Sequence, residues 1–294
     1  FCFKKINPDI IHIHGLTFQT KPIVELCKKQ GYKYIVTLHG LNGLNESVNL
    51  PQIEKDYEYL ALRELEKDRI ITTVVSSGVK KNIMSMYQLS GEHIVVILNG
   101  THVKKVNINN KVCKDKKSKK YHILCIGTVE ERKNQMQLLR ACALLPEEIK
   151  RKLEVHIIGG KSENIDIDKE IKMLQINQVV TYHGFIERKK IAKMWSEADL
   201  NAVMSKSEGF GLSIIEGFVY GVPTITFSDL DAVHDLYDEK AIMLIHKRDD
   251  KAVAEALVKA LERTWDYHYI MNLVQKYSME NIGKQYNEIY MKVH

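Results

Sequence analysis

Between Ser205 and Thr224 the chain reads SKSEGFGLSIIEGFVYGVPT, a stretch dense in residues that could do chemistry. Two carboxylates, Glu208 and Glu216, are separated by seven residues, and just after the first of them Gly209 and Gly211 flank Phe210. Glycine opens backbone conformations closed to other residues and lets a ligand approach the main chain. A helical pattern begins near Leu212, and the first turn of a helix presents free N–H groups at the positive end of its dipole, which suits a phosphate. Glu216, about one turn beyond Leu212, could then reach the sugar hydroxyls of a nucleotide whose phosphate sits at Gly211–Ser213. A second stretch, ILCIGTVEERKNQ over 123–135, runs from a strand-like segment into Gly127 and then Arg132 and Lys133. Cations there could neutralise a diphosphate leaving group. The plainer reading of the same pair is a solvated helix start.

These residues need elements to hold them. Short apolar runs at 10–13, 34–38, 70–75 and 93–98 alternate with helical patterns at 22–29, 54–67 and 77–86. After a polar, Lys-rich break, strands are expected at 121–126, 153–158, 179–183, 200–204, 224–227 and 241–245. Helices fall between them at 134–145, 168–176, 189–197 and 212–219, with more from Lys251 onward. Strand–helix repetition of this kind builds parallel sheets covered by helices, and ligands of such sheets sit beyond the carboxyl ends of the strands. The expected fold is α/β, with two doubly wound Rossmann-like domains.

Composition removes other classes. A length of 294 residues with 45% hydrophobic and 27% charged residues fits about two globular domains rather than disorder or coiled coil. The net charge of +6 permits an anionic partner without demanding one. Much of the excess lies in KVCKDKKSKK at 111–120, which reads as a solvated linker, so no nucleic-acid partner is expected. Five cysteines without CxxC spacing argue against disulfides and a zinc site and fit a reducing compartment. His12, His14 and His39 lack the ligand spacing of a metal site, and no metal is expected. Gly160-Lys161-Ser162 lacks the first glycine of a P-loop, and Gly209-x-Gly211 lacks the third glycine of a dinucleotide fingerprint.

The 205–223 stretch resembles the signature of retaining glycosyltransferases of the GT-B fold, the group 1 family also called family 4. That signature is roughly S-x-x-E-G-F-G-x-x-x-x-E-x-x-x-x-G-x-P, and Ser205, Glu208, Gly209, Phe210, Gly211, Glu216, Gly221 and Pro223 stand in its places. The 123–135 stretch resembles the family's strand–Gly–loop–Lys element, with Thr128 where the family often has Arg. NPDIIHIHG, YIVTLHG, VSSGVKKNI and VVILNG resemble strand and helix ends of its acceptor-side domain, and KYSMENIGKQYNEIY resembles its last helix. Asp235 stands near the family's acidic place after the signature helix, without the usual glycines. The letters of a DxD metal motif, Asp229-Leu-Asp231, lie outside the nucleotide cradle. Family members usually begin with further β/α units before the segment seen here, so the chain is a fragment or a shortened homologue.

The resemblance implies a GT-B architecture with the active site in the cleft between the domains. Residues 1–103 would be a partial acceptor-side domain, 104–120 a linker, 121–270 the nucleotide-sugar domain and 271–294 a helix crossing back to the first domain. It implies transfer of a hexosyl group from a nucleotide-sugar to an acceptor hydroxyl with retention, in bacterial surface polysaccharide or glycolipid synthesis. His39 and Glu208 would be catalytic. Gly127, Arg132, Lys133, Glu208, Gly209, Phe210, Gly211, Leu212, Ser213 and Glu216 would bind the donor. No cofactor is implied, since the UDP- or GDP-linked sugar is a substrate. The acceptor would be a saccharide or lipid-linked sugar, and the location cytoplasmic, with peripheral contact at the inner face of the membrane left open. The alternative is an inactive nucleotide-sugar-binding or scaffold homologue.

Overall fold

A computed structural model describes residues 3–40, 51–103, 106 and 120–293. Most of the expected 104–120 linker lies outside these described residues. The chain divides into two compact units, Phe1–Gly100 with Met279–His294, and Thr101–Ser278.

In the first unit, strands β1 (Ile11–His14), β2 (Tyr34–Leu38), β3 (Thr72–Val74) and β4 (Ile94–Val96) form a parallel sheet in the order β1-β2-β3-β4. β2 is buried along its whole length, as suits a central parallel strand whose largely apolar run is broken by Thr37 alone. Helices Lys21–Gln30, Gln52–Lys67 and Ser77–Tyr87 connect the strands. Ser76 starts the last of these by accepting a 3.0 Å bond from the Val79 amide. The final helix, Met279–Val293, presses Ile282 and Ile289 onto Ile35 and Ile97. It starts at Met279 rather than at Lys276, because Val274–Tyr277 forms a tight 3₁₀ turn. Residues 271–278, grouped with this helix on sequence grounds, pack in the second unit, where Tyr277 sits against Phe210.

The second unit carries β5 (Tyr121–Ile126), β6 (Leu153–Ile158), β7 (Val180–Tyr182), β8 (Leu200–Val203), β9 (Thr224–Phe227) and β10 (Ile242–Ile245). They form one parallel sheet in the order β10-β9-β8-β5-β6-β7. The chain winds outward from β5 to β7, then returns to β8 and winds the other way. The reversal lies between β5 and β8, where a crevice opens beyond the carboxyl ends of a doubly wound sheet. The expected fold class of two parallel-sheet, Rossmann-like domains holds.

Candidate active site

The residues singled out around 127–133 and 205–216 meet at this reversal. Gly127 directly follows β5 and takes φ +145°, open to glycine at little strain; a Cβ there would meet Lys133 Cε at 3.4 Å. The turn after Gly127 is latched by Gln135, whose buried side-chain amide donates to the carbonyls of Gly127 (3.3 Å) and Thr128 (3.0 Å). Asn134, expected inside the following helix, takes a left-handed φ of 53° just before it, and the helix spans Gln135–Ala143.

Lys133 Nζ donates to Glu208 Oε1 at 2.5 Å, joining the end of the β5 turn to the end of β8. The same oxygen accepts from Ser205 Oγ at 2.5 Å. Arg132 lies 3.6 Å from Glu208 Oε2 but is held by Glu130 (2.6 Å) and the Ser207 carbonyl (3.0 Å). The Lys133 and Glu208 side chains are 20% and 9% exposed, so this pair is shielded from water on most sides. Arg248 buttresses the loop from behind. It donates through both terminal nitrogens to the Ser205 carbonyl at 3.2 Å and grips Asp229 with two 2.8 Å bonds. Asp229, the first letter of the Asp-Leu-Asp triplet, is thus a structural partner.

Gly211 takes φ +87° and starts the Leu212–Val219 helix without a side-chain cap. The amides of Leu212 and Ser213 therefore open the helix with no capping side chain over them, which is the geometry that receives an anion. Asn201 of β8 anchors this end through a 3.1 Å bond to the Ser213 carbonyl. Leu212 is 49% exposed at the helix mouth. Glu216 follows one turn later and reaches solvent, yet surrounding protein raises its carboxyl above the ordinary range, with Arg188 pulling the other way. The Phe210 ring is buried and stands edge-on to Tyr277, so of this residue the backbone is left for a ligand.

His39 belongs to the first unit, just after β2. Its Nε2 lies 3.0 Å from His14 Nδ1, and burial, followed by His14, lowers its pKa. Beside it, His12 bonds Tyr290 (2.8 Å) and Thr37 (2.6 Å) and is lowered to about 4, chiefly by burial and then by His14 and His39.

Two family models match the chain: glycosyl transferases group 1 over residues 107–276, and glycosyltransferase family 4 over residues 2–105. The chain belongs to the group 1 glycosyl transferases. An uncharacterized glycosyltransferase of Methanocaldococcus jannaschii is 23% identical, matched over 79% of this chain and 62% of its own length. The O-antigen chain mannosyltransferase RfbU of Salmonella typhimurium is 23% identical over 78% of this chain and 62% of its own length. Among solved structures, Anabaena HepE in complex with UDP and glucose aligns with 98% of this chain and 79% of its own, with a TM-score of 0.78 at 16% identity. The lipopolysaccharide outer core galactosyltransferase WaaB aligns with 99% of this chain and 77% of its own, with a TM-score of 0.72 at 19% identity. At these identities the structural likeness shows the fold.

Within this group 1 transferase, the supports Gln135, Arg248 and Asn201 were not found from sequence. Each acts across 7 to 43 residues on a backbone carbonyl, and a carbonyl is invisible to motif reading. Among the described residues no helix is long and apolar enough to cross a membrane.

Proposed function

We propose that the second unit binds the nucleotide-sugar donor of a sugar transfer to an acceptor hydroxyl, with retained configuration. The observation that carries this reading is the convergence of the Lys133–Glu208 pair and the uncapped start of the Leu212–Val219 helix at the sheet reversal. In transfer, the bond from the anomeric carbon to phosphate breaks and its electron pair leaves on the diphosphate. Lys133 and the Leu212 and Ser213 amides would stabilise that growing charge. Glu216 would bind the ribose hydroxyls, and Glu208 with the Gly209–Gly211 backbone would hold the sugar. The acceptor oxygen bonds to the anomeric carbon, and its proton passes to the leaving diphosphate. His39 would assist transfer rather than nucleotide binding. Arg132, held by Glu130 and Ser207, would have to leave those partners to act as a second phosphate cation. An O-antigen mannosyltransferase and an outer core galactosyltransferase among the similar proteins support a saccharide or lipid-linked acceptor in surface polysaccharide or glycolipid synthesis.

The test is calorimetric titration of the chain with UDP, GDP and ADP. One nucleotide should bind, and Glu216→Ala and Lys133→Ala should each weaken it by about 10- to 150-fold, the worth of a hydrogen bond to a charged group. Folded variants that bind as well as the parent would sink the assignment. Nucleotide binding without transfer to any acceptor would support the inactive-homologue reading.

A further inference from the structure

A second group of ligand-bearing side chains lies on the same sheet, toward the amino ends of its strands. His122 is the second residue of β5, in register with Glu154 of β6, and His156 stands two residues further along β6 on the same face. His122 Nδ1 is 3.3 Å from His156 Nε2 and 3.4 Å from Glu154 Oε2. All three ligand atoms lie within 4.8 Å of one another. A tetrahedral ion with metal–nitrogen bonds of about 2.0–2.1 Å holds its ligand atoms roughly 3.3–3.5 Å apart. Two sides of the triangle already have that length, and the third is no longer than 4.8 Å.

We propose that His122, Glu154 and His156 bind a divalent transition-metal ion, with zinc as the best fit and a water in the fourth position. Two imidazoles and a carboxylate suit zinc better than magnesium or calcium, which prefer oxygen ligands alone. Outer partners behind two of the three ligands are also in place, as metal sites use them to orient their ligands. His156 Nδ1 lies 3.0 Å from His183 Nε2, a bond that turns His156 Nε2 toward the ion. Lys120 Nζ donates to Glu154 Oε1 at 2.5 Å and leaves Oε2 for the ion. The His122 and Glu154 side chains are 26% and 31% exposed, so an ion can enter from solvent. Gly127 lies five positions beyond His122 along the chain, about 16 Å at the usual strand rise. The ion would therefore tie β5 to β6 away from the residues assigned to the donor, and this site is independent of the proposed transfer.

The test uses the full chain after removal of metal with a chelator. Zinc affinity and stoichiometry are measured by competition with a chromogenic chelator, and cobalt is used as a visible probe of tetrahedral geometry. One equivalent should bind, with the intense absorption of tetrahedral cobalt and a rise in melting temperature on adding zinc. His122→Ala and His156→Ala should each remove both signals. His183→Phe should weaken zinc by about 10- to 100-fold, as loss of an outer partner does. His14→Ala should change neither signal, because His14 belongs to the separate His12–His14–His39 group. Circular dichroism establishes that each variant is folded, and nucleotide affinity should be the same in all four. The proposal is overturned if the folded chain binds less than one equivalent at micromolar zinc. It is equally overturned if His122→Ala and His156→Ala retain the parent affinity, or if His14→Ala is the variant that loses it.

Discussion

Replacing Gly159 with alanine should damage the donor site by displacing the Gly127 backbone, without altering the identity of any residue assigned to the ligand. Gly159 directly follows β6 at φ +143° and is held on both sides: its amide donates to the Gly184 carbonyl at 2.9 Å and its carbonyl accepts from Tyr182 at 3.0 Å. A Cβ there would stand 2.2 Å from the Gly127 oxygen, 2.6 Å from the Gly127 carbonyl carbon and 3.0 Å from the Thr128 nitrogen. The obstacles are all backbone, so no rotamer relieves them, and the closest approach is roughly 1 Å short of van der Waals contact. The left-handed φ costs about 1–3 kcal/mol and the overlap about 1–3 kcal/mol more. A central value of about 4 kcal/mol corresponds to a fall of about 8–16 °C in melting temperature for a unit of this size. Gly160→Ala is the control: nothing lies within 4 Å of its Cβ and its φ is not left-handed. It should change stability by no more than about 0.5 kcal/mol. The two variants are compared by scanning calorimetry and then by nucleotide titration well below both transitions. Gly159→Ala should also bind nucleotide more weakly, because the displaced Gly127 turn packs against Lys133. A Gly159→Ala protein melting within about 1 °C of Gly160→Ala would refute the reasoning, since an incompressible backbone contact cannot be that soft.

Other expectations follow from side-chain placement. Phe210→Ala should destabilise the chain by about 3–5 kcal/mol through a cavity against Tyr277, whereas Leu212→Ala should stay within about 0.5 kcal/mol, both read by denaturant unfolding. The raised Glu216 carboxyl favours the protonated form in the folded chain, so its ionisation costs stability as pH rises through the folded value. Glu216→Gln should then melt higher than the parent at pH 7, with the gain disappearing below the ordinary glutamate range, while nucleotide affinity falls. His12 is lowered from 6.5 to about 4, so the unfolded chain takes up its proton first as pH falls. Its contribution is present above 6.5 and is lost toward 4, and His12→Gln should flatten the pH dependence of stability across that window.

Element positions were most legible where the chain is unambiguous. The strands Tyr121–Ile126, Leu153–Ile158 and Thr224–Phe227 and the helix Leu212–Val219 have the bounds expected from sequence, because buried runs end at sharp turn residues. Bounds shifted where a cap or turn intervened. Asp166 accepts from the Lys169 amide to start the Ile167–Met173 helix, and the left-handed Gln175 follows its end, so the expected 168–176 span moved. The parallel α/β class was legible because strand–helix alternation leaves few other ways to bury both faces of a sheet.

The sequence by itself determined the chemical inventory of the site: the signature glycines, Glu208 and Glu216, and a lysine at 133. It did so because local backbone demands and residue types are written in order along the chain. Only the tertiary structure decided which groups meet. Lys133 and Glu208 are 75 residues apart and become partners because the sheet reverses between β5 and β8. Phe210, inside the signature, turned out to face the core, a choice made by Tyr277 more than sixty residues away. His122, Glu154 and His156 show no ligand spacing in sequence and come together because parallel pairing sets β5 beside β6 in a single register. Contacts of that kind depend on strand order and register, which follow from burying the whole core at once rather than from any short stretch of residues.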